Sequence, residues 1–287
     1  MGFRLNITQK FIGFLFLTSV IPLLGVGIRS YQVSHQILQE ETIKYTTQLV
    51  ANQKDYLDLQ LQQIESLINS VSDVTEIVEA IDKSNAKTDL YNSLATKARI
   101  GYILNSYINL EGLLSIDIST MNNVNYHVGD TLNFSKIRTD VRSRLLEQVE
   151  QAGDRIVWAG IEDNINANSN AQKVITAASA LRKVNSQTLQ SEPVGLLLVN
   201  YNVDYLYKHF SQINLGEGGY LLVIDAKNRI IYHPDKRLYG MPVNPQLVRL
   251  LDAEHGSFVE SINGEETLVT YDRSKVSNWV VLSLIPI

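Results

Sequence analysis

The stretch SIDISTMNNVNYHVGD, residues 115–130, and the stretch VIDAKNRIIYHPD, residues 223–235, are written to one plan. In each, an apolar strand runs into Ile-Asp, a polar turn follows, and the return strand closes on Tyr-His. Asp117 and Asp225 lie 108 residues apart, and His127 and His233 lie 106 apart. An apolar run, a polar turn and a second apolar run signal a β-hairpin. A hairpin repeated at nearly constant spacing predicts two copies of one module in series.

The neighbouring segments repeat as well. After the first hairpin, SKIRTDVRSRLLEQVEQAG (135–153) reads as an amphipathic helix, with Ser135 as N-cap and Gly153 as stop. DRIVWAGIED (154–163), KVITAASALRKV (173–184) and PVGLLLVNYNV (193–203) then read as strands. The second copy has a helix at NPQLVRLLDAE (244–254) and a hairpin turning at Asn263-Gly264, then a closing strand, NWVVLSLIPI (278–287). DYLYKHFSQIN (204–214) and LGEGG (215–219) connect the copies. Each copy is an α+β unit with an antiparallel sheet.

Upstream, FIGFLFLTSVIPLLGVGI (11–28) is 18 residues without a charge. That is near the lower limit for a membrane-spanning helix, about 17–25 apolar residues, and longer than the apolar core of a secretion signal. Arg4 and Lys10 before it and Arg29 after it lean slightly towards a cytoplasmic N-terminus. From Tyr31 to about Ile81 there is neither Pro nor Gly, and Leu57, Leu61, Ile64, Ile68, Val71 and Val78 recur in steps of four and three around Thr75. This predicts one long helix whose seam packs on its own domain, on a second copy in a homodimer, or on each over different stretches. SNAKTD (84–89) breaks it, and LYNSLATKARIGYILNSYIN (90–109) reads as a further helix.

Composition narrows the function. The 287-residue chain is 45% hydrophobic and 19% charged, as ordinary folded proteins are. A net charge of -5 argues against nucleic acid as a partner. With no cysteine, disulfides, thiol catalysis and Cys-ligated zinc are excluded. Hydrolase, phosphate-loop and zinc-protease motifs are missing, so neither an enzyme nor a cofactor or metal is expected.

An apolar anchor, a long helix and two such modules resemble the double Cache sensor domains of bacterial transmembrane receptors, of the sensor-kinase and diguanylate-cyclase type. GYLLVIDAKNRIIYHPDKRLYG (219–240) is similar to that family's membrane-proximal module. WAGIEDN (158–164), KVITAASAL (173–181) and GLLLVNYNVDYL (195–206) are similar to its distal module. The resemblance implies an α+β fold: a long N-terminal helix backing two tandem PAS-like modules with antiparallel sheets, preceded by one transmembrane helix. The division is then 1–10 cytoplasmic, 11–28 transmembrane, 31–82 backing helix, 83–214 membrane-distal module and 215–287 membrane-proximal module. It implies a sensor domain outside the cytoplasmic membrane, with a small ligand in the distal module and an output domain that this chain does not carry. A membrane-anchored module that binds a protein partner is the alternative.

Amino-acid receptors of that family carry an Arg-x-Trp-Tyr motif and a later Asp. The matching positions here are Ile156, Val157, Trp158 and Ala159, with Asn200 in place of the Asp. Lacking both charges, the site is not expected to take a standard α-amino acid. Trp158 is read equally as a pocket wall or a core aromatic. Of the adjacent Tyr126 and His127, which face opposite ways on a strand, Tyr126 is preferred for the pocket. Asp117 and Asp225 read as turn caps. EDNINANSNAQ (162–172) lacks the Gly and Glu of a calcium loop and reads as a polar lid or a solvated loop, with Asp163 and Asn164 at its base. Arg182 is the nearest uncommitted cation for an anionic ligand.

Overall fold

The computed structural model describes residues 7–85, 90–185, 187–262 and 264–287. They form two compact units, Met1–Leu49 and Val50–Ile287. Helix α1 (Ile7–Ser72) supplies the first unit and the opening of the second. Among the described residues it is the one helix long and apolar enough to cross a membrane, its apolar window reaching a mean hydropathy of 2.3.

The long helix expected over 31–82 is interrupted. α1 ends at Ser72, and α2 (Thr75–Asn85) begins after a turn at Asp73–Val74. No Pro or Gly is needed, because Ser72, Asp73 and Thr75 have side chains that compete for backbone groups and weaken helix continuity. α3 (Leu90–Asn105) follows. The break expected at 84–89 falls largely on 86–89, which lie outside the described residues, as does Asn263 of the Asn-Gly turn.

The first sheet holds β1 (Leu113–Thr120), β2 (Asn125–Gly129), β3 (Val157–Asp163), β4 (Lys173–Val184) and β5 (Ser191–Asn202). The second holds β6 (Tyr220–Ile224), β7 (Ile230–Tyr232), β8 (His255–Ile262), β9 (Glu265–Arg273) and β10 (Val280–Pro286). Their orders, β2-β1-β5-β4-β3 and β7-β6-β10-β9-β8, are the same order, and every pairing is antiparallel. The repeated hairpin therefore does mark a repeated module, in the α+β architecture expected from the sequence.

In the first module α4 (Thr139–Ala152) covers one sheet face, laying Val141, Leu145 and Val149 on Ala178, Leu196 and Leu198. Gly153 ends it as expected, at φ 70 with its N–H on Val149 O. Ser135 is not its cap: the helix starts four residues later behind Arg138, and the Ser135 N–H and hydroxyl both donate to Asn133 Oδ1. Linking the modules is α5 (Val203–Phe210), capped by Asn202. α6 (Pro245–Arg249) covers the second sheet. The opposite face of the first sheet meets α2, while Leu57, Leu61, Ile64 and Ile68 of α1 are buried.

Candidate ligand-binding site

Pairing register decides which side chains lie under α4. Asp117 pairs with His127 on one side and Leu198 on the other, and Ser115 and Thr176 both pair with Asn200. Paired residues share a face. Ser115, Asp117, His127, Thr176 and Asn200 therefore project to the side of Leu196 and Leu198, where α4 packs.

They form one buried network. Asn200 Nδ2 donates to Asp117 Oδ2 at 2.7 Å and to Ser115 Oγ at 3.0 Å, while its Oδ1 accepts from Thr176 Oγ1 at 2.8 Å. Ser115 Oγ donates to Asp117 Oδ2 at 2.8 Å, and His127 Nδ1 meets Asp117 Oδ1 at 2.5 Å. Ser115, Asp117, Thr176 and Asn200 are each at most 2% exposed. The corresponding face of the second sheet carries an apolar cluster of Leu222, Ile224, Val269, Tyr271, Val280 and Leu282, with buried Thr267 at its margin. A buried polar group costs free energy unless it is hydrogen-bonded, and these five meet that demand through one another.

Two loops close over the network. In the first, residues 130–138, Phe134 stacks on His127 with ring centres 4.4 Å apart and an interplanar angle of 6°. In the second, residues 164–172, Asn164 Oδ1 accepts from Asn166 N–H and Asn166 Oδ1 from Asn168 N–H, at 2.9 and 3.0 Å. These successive Asx turns explain the alternate asparagines, so the loop is braced and partly buried rather than solvated. Ser169 Oγ donates to Asp130 Oδ2 at 2.6 Å, and the Asn166 and Asn168 amides donate to Asn133 O at 3.1 and 3.3 Å, joining the loops. Beside β2 a cavity of about 420 Å³ opens between Lys97, Asn125, His127, Asn133 and Phe134.

The residues singled out from the sequence thus separate. Asn200 is central to the network. Asn164 is buried in the loop above it, with Nδ2 donating to Ala171 O at 3.1 Å. Tyr126 faces away: it pairs with Ile118 and is buried on the opposite side, and the preference for it over His127 is reversed by the register. Trp158 pairs with Ala177 on that opposite face, where Nε1 donates to Glu65 Oε1 of α1 at 3.0 Å and the ring meets Trp279 edge-on at 5.7 Å. Arg182 is committed to Asp154 at 2.9 Å. Asp163 is half exposed and pairs with Lys173 at 2.9 Å, and that hydrogen bond, against some burial, lowers its pKa.

Asp225 does cap its turn, accepting from the Lys227 and Arg229 N–H groups at 2.9 and 2.8 Å. Asp117 does not, because β1 continues to Thr120 and carries it to mid-strand. Its place in the network was missed in the sequence, although the ten residues from Asp117 to His127, against eight from Asp225 to His233, record the different register.

Two PAS-like modules on one helical backbone are the architecture of double Cache domains. The Cache domain profile (dCache_1) matches residues 34–287, and the chain belongs to this family. Residues of the chain match the methyl-accepting chemotaxis protein McpA of Bacillus subtilis at 22% identity over 87 residues, 30% of this chain and 13% of that protein's length. The ligand-binding domain of the Pseudomonas fluorescens chemoreceptor CtaA, solved with L-isoleucine, superposes with a TM-score of 0.60 at 14% identity, over 88% of this chain and 95% of that one. The ligand-binding domain of Mlp24, solved with asparagine, gives 0.61 at 17% identity over 88% and 94%. These complexes correct the expectation that a standard α-amino acid is not the ligand. Domains of this fold hold such ligands, so departure from one motif is no ground for excluding that class.

Proposed function

We propose that the chain is the extracytoplasmic ligand-sensing region of a transmembrane signalling protein, with its ligand held on the α4 face of the first, membrane-distal module. The observation that carries this reading is the buried network of Ser115, Asp117, His127, Thr176 and Asn200, placed where the second module has a largely apolar cluster. Asn200 and Thr176 offer neutral donors and acceptors and Asp117 a carboxylate, a set suited to a small polar metabolite such as an amino acid. The uncharged segment 11–28 is read as the membrane span, with the N-terminus cytoplasmic. Ligand that favours one arrangement of the modules biases α1, and with it an output domain across the membrane.

The test is thermal unfolding of the full chain in detergent against amino acids, carboxylates, amines, purines and sugars. A true ligand at a hundred times its Kd stabilises by about 2.7 kcal/mol, and Asn200→Ala is expected to abolish the shift. A shift that survives both Asn200→Ala and Thr176→Val removes the ligand from this face.

A further inference from the structure

The two ring nitrogens of His127 both face groups that have only acceptor atoms in these contacts. Nδ1 lies 2.5 Å from Asp117 Oδ1, and Nε2 lies 2.9 Å from the backbone carbonyl of Thr131. A neutral imidazole has a single N–H and serves one such partner. Both bonds are made only when the Asp117–His127 pair holds one proton between Nδ1 and Oδ1 and another on Nε2. The Phe134 ring stacked on the imidazole holds its plane, so rotation does not relieve the demand.

We propose that the first module reads pH at the Asp117–His127 pair, with the Nε2 proton fastening the 130–138 loop over the ligand face. When that proton leaves, the Nε2 lone pair opposes the Thr131 carbonyl and the loop loses its hydrogen bond to the His127 ring. The ties that remain on the 130–138 loop include the Phe134 stack, the bond from Ser169 to Asp130, the Asp130 N–H on Leu114 O, the amides of the second loop on Asn133 and Ser135, and the backbone and side-chain bonds at Arg138. Asp117 also loses the charge that balances it. The loop loosens and the network beneath becomes accessible, so the proton acts as a second input to the ligand site.

The charged and polar surroundings agree on the direction. From β1 come Asp117 and Ser115, from β5 Asn200, from the loop Asp130, and from α3 Lys97 across the cavity. Arg142 of α4 is occupied with Ser119 Oγ at 2.6 Å and the Thr120 carbonyl at 3.1 Å. Burial opposes a charge on His127, but the bond to Asp117, its charge, the Thr131 carbonyl and Asp130 together raise its pKa above the ordinary histidine value. A raised folded-state pKa means the tie is complete below about 6.5, the unfolded value, and is lost as pH rises through the folded value.

The test needs no ligand, so it stands apart from the proposed function, on which only the consequence for ligand access rests. Hydrogen exchange of the full chain in detergent, corrected for intrinsic pH dependence, is followed from about pH 5.5 to 9.5. Protection of residues 130–138 is expected to fall roughly tenfold with a midpoint above about 6.5, while residues 265–273 of the second sheet stay unchanged. His127→Gln is expected to show low protection at every pH. A flat profile in the wild type, or the same transition in His127→Gln, overturns the proposal. Nitrogen NMR of the wild-type ring gives a test without substitution: imidazolium is expected to give way to a neutral tautomer with a midpoint above about 6.5, and a midpoint at or below that value refutes it.

Discussion

Asn200 joins three strands: its amide donates to Ser115 and Asp117 on β1 and its carbonyl accepts from Thr176 on β4. Replacing it by Ala leaves a buried carboxylate oxygen and two buried hydroxyls without these bonds. Each group so stranded costs about 1–3 kcal/mol, so Asn200→Ala is expected to destabilise by about 2–3 kcal/mol, and Thr176→Val, which strands less, by about 1. Urea unfolding measures both, and a cost under about 0.5 kcal/mol for Asn200→Ala contradicts the network. Asn200 was singled out because a family pattern pointed to its position. Asp117 and His127 were not, because an Asp near a turn reads as a cap and only the strand register shows it at mid-strand. Trp158 and Tyr126 were misplaced for the same reason: alternation tells that neighbours face apart, but not which side is which.

At the scale of elements, the edge strand β3 is docked on the β6–β7 hairpin. Glu162, 4% exposed, receives Arg144 of α4 at 2.8 Å and Arg229 of the hairpin at 3.1 Å. Arg229 also holds Asp225 at 2.7 Å and donates to Ala159 O at 2.6 Å. Gly160 permits this approach: it has φ +79, and a Cβ there would overlap the Asp225 carboxylate. Gly160→Ala therefore meets both backbone strain and a clash, with an expected cost of about 2 kcal/mol. Arg229→Met leaves Asp225 and Glu162 short of a partner, at about 3 kcal/mol, the lower part of the range for breaking a buried pair. Since both act on one junction, the double variant is expected to lose less than the sum. Strict additivity in urea unfolding, followed by Trp158 and Trp279 fluorescence, argues against a shared junction. Arg229 and Glu162 stand 67 residues apart, and no local pattern announces their meeting.

Across the second unit, the Val50–Ser72 stretch of α1 is bonded to both modules. Glu65 takes Trp158 and Gln60 takes Tyr201 Oη at 3.0 Å from the first, while Asp58 takes Ser274 Oγ at 2.5 Å from the second. Gln53 meets His209 of the linking helix at 2.9 Å. Ile64, 1% exposed, lies in the middle of this stretch. Ile64→Ala is expected to cost about 2–5 kcal/mol and to leave one cooperative transition, with circular dichroism and fluorescence coincident. Two separated transitions refute the view that the helix unites the modules.

By itself the sequence determined what local periodicity and turn chemistry can carry: the apolar segment, the seam of the long helix, the ten strands and their arrangement as two like modules. Those signals arise from residues within a few positions of one another, and hydrophobic spacing records them directly. Only tertiary structure decided the chemistry of the polar face under α4. Facing depends on strand register, on the β-bulge between Trp158 and Gly160, and on pairings such as Asn200 with Asp117 over 83 residues. A shift of a single residue exchanges the two faces of a strand, and that choice is made by the packing of the whole module rather than by any segment alone.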